Sequence, residues 1–319
     1  MKRQNDHTLL SAFFVCNFLL IFYLFSIHYQ SLTKNDDLSY NKIINQFKKK
    51  SPKILFLGDS HTGTDISKDE LDEKYFNFAH GSDNIRQMFL KLDYAIKTKT
   101  SIQYVVIPLD YHTFSAYRHR NRSFSRDINY TTNYPLIADL YGINKLSAFK
   151  ELLSRYIPLL SVQNWEKYFL ILTTKGEEKI FHEEKIKNAN WDQLTQSERV
   201  MQTKTRVKEQ LSEPIVVKDM VNIFDKFIAY CETKNTKLIG VRFPVSAEYI
   251  RTSGQYGISK AIKIFEERKN KFHFYLDYYV LFKNNPEFFI NSDHLSTKGA
   301  EVFTKILMRD IDTRLKNDQ

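Results

Sequence analysis

From Lys53 onward, short apolar runs alternate with stretches whose apolar positions recur at helical spacing. "KILFL" at 53–57, "YFNFAHG" at 75–81 and "IQYVVIPLD" at 102–110 read as strands, and so do "KLIGVRFPV" at 237–245 and "KFHFYLDY" at 271–278. After the second run, Ile85, Met88, Phe89, Leu92 and Ile96 fall on one helical face, with Ser82 or Asp83 available as the cap. A helix over 216–231 gathers Val217, Met220, Val221, Phe224, Phe227, Ile228 and Cys231. Another is expected over 258–269, and a closing helix from about Thr297 turns Phe303, Ile306, Leu307 and Ile311 inward. Apolar strands separated by amphipathic helices predict an α/β fold, its mostly parallel sheet covered on both faces.

The alternation fails in two places. Between about 112 and 215 it gives way to a basic run, "YRHRNRSFSR" at 117–126, and mixed helical segments, read as an insertion into a domain covering 51–319. At the N-terminus, Met1-Lys2-Arg3 precede "TLLSAFFVCNFLLIFYLFSI", an uncharged run of about 20 residues, long enough to span a bilayer as a helix. The run is longer than a signal peptide's apolar region, and "FSIHYQS" has no small-residue cleavage site, so 1–29 reads as an uncleaved anchor and 30–50 as a juxtamembrane linker. Lys2 and Arg3 favour a cytoplasmic N-terminus. "KKKSPK" at 48–53 pulls the other way, from the edge of the range over which flanking charge counts. Large domains translocate largely regardless of charge, so the expected location of the main domain is outside the cytoplasm, periplasmic or extracellular.

Composition adds two constraints. With 319 residues, 42% of them hydrophobic and 14% aromatic, the chain is long and apolar enough for a substantial packed core. A net charge of +10 favours anionic partners: lipid headgroups, acidic glycans or nucleic acid. Nucleic acid is the weakest of these, because no zinc finger, recognition helix or aromatic RNA-binding signature accompanies the charge. Cys16 lies in the apolar run and Cys231 in a predicted helix, which leaves no plausible intrachain disulfide.

The candidate chemistry gathers where strands end. In "ILFLGDSHTGTD", 54–65, an apolar strand delivers Ser60 at its terminus, and Gly81 and Asp110 follow directly on the next two strands. Parallel sheets place their ligand sites beyond these carboxyl ends. His294, in "FFINSDHLSTKGAEVF" at 288–303, sits between the last strand and the closing helix. Its imidazole titrates close to working pH and suits a general base for a serine hydroxyl. Arg118, Arg120, Arg122 and Arg126 are candidates for holding a carboxylate or phosphate, although a solvated charge run is the commoner fate of any single one.

"GDSH" after a strand, the glycine of "NFAHG" and the C-terminal "DHLSTKGA" together resemble the SGNH/GDSL hydrolase superfamily. More narrowly, they resemble its bacterial membrane-anchored members found with exopolysaccharide and cell-wall modification genes. The resemblance covers about 51–110 and 216–315. It implies a flavodoxin-like three-layer sandwich and either ester hydrolysis or acyl transfer, commonly of acetyl groups on sugars, without metal or cofactor. It assigns Ser60 as nucleophile, the backbone N–H groups of Ser60 and Gly81 as oxyanion donors, and His294 as base.

Two departures stand out. Where the family has a third oxyanion donor, an asparagine, this chain has "PLDYH", with Asp110 there and His112 as a substitute donor. Where the family's acid stands three residues before the histidine, this chain has Asn291; Asp293 is the nearest alternative carboxylate and Asp277 a more distant one. Three functions follow. The first is acyl transfer or hydrolysis on an extracytoplasmic polysaccharide through an acyl-Ser60 intermediate. The second is a catalytically degenerate domain that binds glycan or scaffolds other envelope polysaccharide-modification proteins. The third is an unrelated binding protein.

Overall fold

The computed structural model describes residues 2–33, 38–120, 131, 133–154, 157–160, 162–173, 191–211 and 213–317. The first elements are α1 (Lys2–Thr33), α2 (Leu38–Lys49), β1 (Ile54–Phe56), α3 (Ser60–Asp65), β2 (Tyr75–Asn77), α4 (Ile85–Thr98), β3 (Tyr104–Pro108) and α5 (Ala116–Arg120). Then come α6 (Tyr134–Tyr141), α7 (Lys145–Leu153), α8 (Val162–Thr173), α9 (Gln196–Gln210) and α10 (Lys218–Thr233). The chain closes with β4 (Lys237–Arg242), α11 (Ala247–Ser253), α12 (Ser259–Glu267), β5 (Phe274–Asp277) and α13 (Thr297–Asn317).

The chain divides into two compact units, residues 1–44 with 123–184, and residues 45–122 with 185–319. In the first, α1 contains an apolar stretch, Ser11–Leu32, long enough to cross a membrane and almost wholly exposed. In the second, five strands form one sheet in the order β2-β1-β3-β4-β5, every neighbouring pair parallel. This is the doubly wound, flavodoxin-like order, whose switch point lies between β1 and β3.

Alternation along the strands sends one set of side chains to each face. Ile54, Phe56, Val106, Ile239 and Val241 pack with Phe303, Leu307 and Ile311 of α13. On α4 and α10, Phe89 and Phe227 meet edge to face at 5.8 Å. The capping residue of α4 is Asn84, not Ser82 or Asp83. Its side chain takes the Arg86 N–H while Gln87 returns a bond to the Asn84 N–H, a complete capping box. Asp83 instead accepts from the buried ammonium of Lys91, whose other bond goes to Phe78 O at 2.7 Å, tying the segment around Gly81 to α4.

The second strand stops at Asn77 although the apolar run continues to Ala79. Asn77 Oδ1 accepts the Ala79 N–H at 3.0 Å and Nδ2 donates to Thr62 O at 2.8 Å, so the side chain turns the backbone out of the ladder. Residues 191–211, read from the sequence as part of the insertion, pack in the sheet unit, where Val207 and Leu211 meet Tyr249.

Candidate active site

Ser60 is the first residue of α3, directly beyond β1. Two residues earlier, Gly58 has φ +154°, and a Cβ there would lie 2.1 Å from Thr62 Oγ1 and 3.0 Å from Pro108 Cδ. Only glycine allows so tight a turn from strand to helix. Asp59 caps α3 by accepting the His61 N–H at 2.9 Å, and among the described residues nothing accepts the Ser60 N–H. That orphaned donor belongs to the half-buried residue that also carries the candidate nucleophile. Gly81 is half-buried with open space where a side chain would stand.

A short turn brings in the remaining residues. Ile290 N donates to His294 O at 3.0 Å and Ser296 N to Phe288 O at 2.8 Å, so 289–295 form a tight loop ahead of α13. Gly299 lets α13 approach this loop, since a Cβ there would sit 2.3 Å from Phe288 O. Asp65, at the end of α3, accepts the Leu295 N–H at 2.8 Å. The helix that starts with Ser60 is therefore tied at its far end to the residue after His294. Burial pushes the Asp65 carboxyl well above the usual range, against the pull of His61 and the Leu295 N–H bond.

Asn291 Oδ1 lies 3.0 Å from the Asp293 N–H, 2.9 Å from the His294 N–H and 3.1 Å from His294 Nδ1. Two backbone donors identify that atom as the oxygen, so His294 Nδ1 must carry a proton and Nε2 presents its lone pair. Burial lowers the pKa of His294, against the pull of the neighbouring Asp293. A buried, neutral imidazole with a free Nε2 is the form a general base requires. Among the described residues Ser60 Oγ makes no hydrogen bond, and none joins it to His294.

His61, the residue after the serine, was not singled out from the sequence. Its Nδ1 lies 3.0 Å from Asp110 Oδ2 and its Nε2 3.1 Å from Asp293 Oδ2. With a carboxylate on each nitrogen, both nitrogens donate and the ring is an imidazolium. Burial alone would lower its pKa, but Asp110 and Asp293 raise it well above the ordinary value. Its centroid is 5.0 Å from that of His294 and 5.3 Å from that of His112. The charge of Asp110, which would oppose a developing oxyanion, is thus answered locally. Burial would raise the Asp110 carboxyl, yet His61 and His112 hold it below the usual range.

Asp293 is fully buried and points mainly away from His294. It accepts from Gln210 Nε2 at 2.7 Å and from Arg206 Nε at 3.1 and 3.2 Å, in addition to His61, and its Oδ1 is 3.5 Å from His294 Nδ1. Burial would push it up, but the His294 ring, Arg206 and the His61 bond take it well below the usual range. Tyr249 OH donates to Gln210 Oε1 at 2.8 Å and fixes that amide. Arg206 and Gln210 lie on α9, whose polar face gave no sign of entering a site.

Asp59 Oδ2 accepts from Arg118 and lies 2.9 Å from His112 Nε2. Arg118, a candidate for holding a substrate anion, is buried with its guanidinium engaged on Asp59 and His112. Burial drives the His112 pKa down to about 4, so this ring is neutral. Arg120 is exposed at the end of α5, and Arg122 and Arg126 lie outside the described residues. The three carboxylates of Asp59, Asp110 and Asp293 therefore face three cations, Arg118, His61 and Arg206.

His61, Asp293 and His294 bring potential ligand atoms within 4.8 Å of one another, as do Asp59, Asp110 and His112. A metal ion entering either cluster would have to displace the protons of His61 or an arginine already paired there. Beside the network, a narrow cleft is lined by His61, Asp110, His112, Tyr249, Tyr279 and Arg242 among others. Arg242 stands over the rings of Tyr279 and Tyr111, at 4.4 and 5.1 Å from their centroids, and pairs with Asp277 at 2.6 Å.

Fold and site together define a doubly wound α/β protein whose candidate site is a serine and a neutral histidine at the carboxyl edge of the sheet. Among solved structures, the chain is similar to a GDSL-like lipase from Bacteroides thetaiotaomicron, at 12% identity and a TM-score of 0.42 over 86% of this chain and 97% of that one. It is also similar to a protein assigned as an acylhydrolase from Bacteroides fragilis, at 12% identity and a TM-score of 0.37 over 83% of this chain and 91% of that one. No protein-family profile matches the chain, and no curated protein does.

Proposed function

We propose that this chain is a serine-dependent enzyme that hydrolyses or transfers an acyl group, acetyl in the first instance, on a cell-envelope polysaccharide outside the cytoplasm. In this reading Ser60 Oγ attacks the ester carbonyl while His294 Nε2 takes its proton and then gives it to the departing alcohol oxygen as the ester C–O bond breaks. Water or a sugar hydroxyl, deprotonated by the same nitrogen, then attacks acyl-Ser60, takes the acyl group and releases the serine, which recovers its proton from His294. The Ser60 and Gly81 N–H groups receive the oxyanion; such donors are worth about 3–4 kcal/mol each. The observation that carries the proposal is the Asn291–His294 contact, which fixes a buried imidazole in the tautomer whose Nε2 can accept a proton. The basic net charge supports an anionic glycan, and the apolar stretch of α1 supports membrane attachment.

The test is covalent labelling of the full-length, detergent-solubilised protein with a fluorophosphonate. Labelling should map to Ser60 and vanish in Ser60→Ala and His294→Ala. A second reading, a glycan-binding domain without chemistry, is favoured by the missing bond between Ser60 Oγ and His294 and by an amide in the acid position. Absence of labelling in the parent protein, with retained glycan binding, would establish that reading instead.

A further inference from the structure

The first unit holds a feature that the esterase reading does not use. Helix α8 packs across α1 inside the apolar stretch Ser11–Leu32, not beyond its end. Trp165 meets Phe22 at 6.0 Å between ring centroids, and Tyr168 meets Phe25 at 6.3 Å. Tyr168 OH is 2.8 Å from His28 Nδ1, and Tyr29 OH donates to Asn164 Oδ1 at 3.1 Å. Phe22 precedes Leu32 by ten residues, about 15 Å along a helix axis. That is half the thickness of a hydrocarbon core of about 30 Å. A helix fixed at this level of a spanning segment cannot stand clear of the bilayer.

The surface of the unit agrees. Phe169, Leu170 and Leu172 on α8 and Leu146 and Phe149 on α7 are exposed large apolar side chains, Leu146 by 77%. Five large apolar side chains exposed on two short helices of one small unit are unusual for a surface meant for water. Helix α8 has 12 residues, too short to span, and its exposed Glu166 lies one turn before Phe169 and Leu170. It also places Tyr168, beside Phe25 and His28, towards the end of the apolar stretch, where amphipathic rings collect. We propose that α8, together with Leu146 and Phe149 of α7, is a lipid-contacting element seated in the leaflet that the C-terminal half of α1 traverses. Its partner is the bilayer itself. The proposal rests on α1 being a membrane span and is independent of any chemistry at Ser60.

The test uses the full chain with Cys16→Ala and Cys231→Ala, reconstituted into phosphatidylethanolamine–phosphatidylglycerol vesicles. Single cysteines carrying a nitrobenzoxadiazole fluorophore are introduced as Phe169→Cys and, separately, Leu146→Cys. Leu19→Cys in α1 serves as the reference for lipid and Met201→Cys in α9 as the reference for water, all four positions being exposed. Doxyl-labelled lipid should at least halve the emission at 169 and 146, as at 19, while iodide leaves them nearly unchanged; Met201→Cys should show the reverse. The proposal is overturned if iodide quenches 169 and 146 as it does 201, or if neither quencher reaches them because a second copy of the chain covers this face. It is equally overturned if the probe at 19 behaves as one in water, since α1 then spans nothing. Loss of fluorophosphonate labelling would leave it untouched.

Discussion

Replacing Asn291 with aspartate probes the candidate site at its most informative position. A carboxylate in the same place keeps the two backbone donors, at 3.0 and 2.9 Å, and the Nδ1 contact at 3.1 Å, while adding a charge beside the imidazole. Two unit charges about 4 Å apart interact by about 4 kcal/mol at an effective dielectric near 20. The Asp293 carboxylate, already 3.5 Å from the same nitrogen, resists a second negative charge, and desolvation takes a further share. About one to two pKa units should survive, roughly 1.4–2.7 kcal/mol. Because the imidazolium forms as the serine is attacked, the same energy appears in the barrier, so Asn291→Asp should accelerate fluorophosphonate labelling about 10- to 100-fold. The gain holds only where His294 is unprotonated, so the acid limb of the rate–pH profile must move up by the same one to two units. The measurement is a labelling time course between pH 5 and 9. An unchanged rate at alkaline pH together with an unmoved limb would refute the assignment of Asn291 as the residue that orients the base. Loss of labelling in Asp293→Asn would then identify Asp293 as the acid.

Three further outcomes are expected. His61→Leu leaves Asp110 and Asp293 buried without their shared cation and should cost about 3–5 kcal/mol in chemical denaturation; adding Asp110→Asn should recover part of the loss, and a fully stable His61→Leu protein would contradict the imidazolium. His112 titrates near 4 in the fold and 6.5 when unfolded, so the unfolded chain binds a proton that the native state refuses, and stability should fall by about 3 kcal/mol as pH drops through that window. His61 acts with the opposite sign. Its raised pKa contributes stability that is complete below 6.5 and lost as pH climbs through the folded value, so Tm should peak near neutrality, His112→Gln should flatten the acid limb, and a monotonic profile would be inconsistent with both. Gly58→Ala forces a Cβ into Thr62 at positive φ and should cost about 3 kcal/mol; an unchanged Tm would show that the turn relaxes.

The sheet was legible because buried parallel strands are apolar throughout, and Ser60, Gly81 and Asp110 could be placed at one edge from that pattern alone. Strand ends were less legible. The second strand was cut short by an asparagine side chain competing for the backbone, and the fourth ends at Arg242, just before Pro244, which has no N–H to give the ladder. The cap of α4 was missed by one or two residues because Ser82, Asp83 and Asn84 are all capping types, and only the reciprocal bond from Gln87 distinguishes them. His61 was invisible for a different reason. Its meaning comes from carboxylates 49 and 232 positions away, and no local pattern records that. Arg206 and Gln210 were hidden in the same way, since a helix turning a polar face into a charged interior looks like one turning it to solvent.

The pairing of charges also has a consequence for how the protein is put together. Asp59 and Asp110 find Arg118 and His61 within residues 45–122, and Asp293 finds Arg206 within 185–319. The sheet divides at the same place, with β2-β1-β3 from the first segment and β4-β5 from the second, meeting along the β3–β4 ladder. Each half of the sheet unit therefore leaves synthesis with an uninterrupted block of strands, and Asp59, Asp110 and Asp293 each have a counterion in their own half. The intervening 62 residues, 123–184, contribute none of these six groups. The sheet unit is in effect a two-piece assembly on one polypeptide, and the two pieces expressed apart should be able to find each other through the single ladder that joins them.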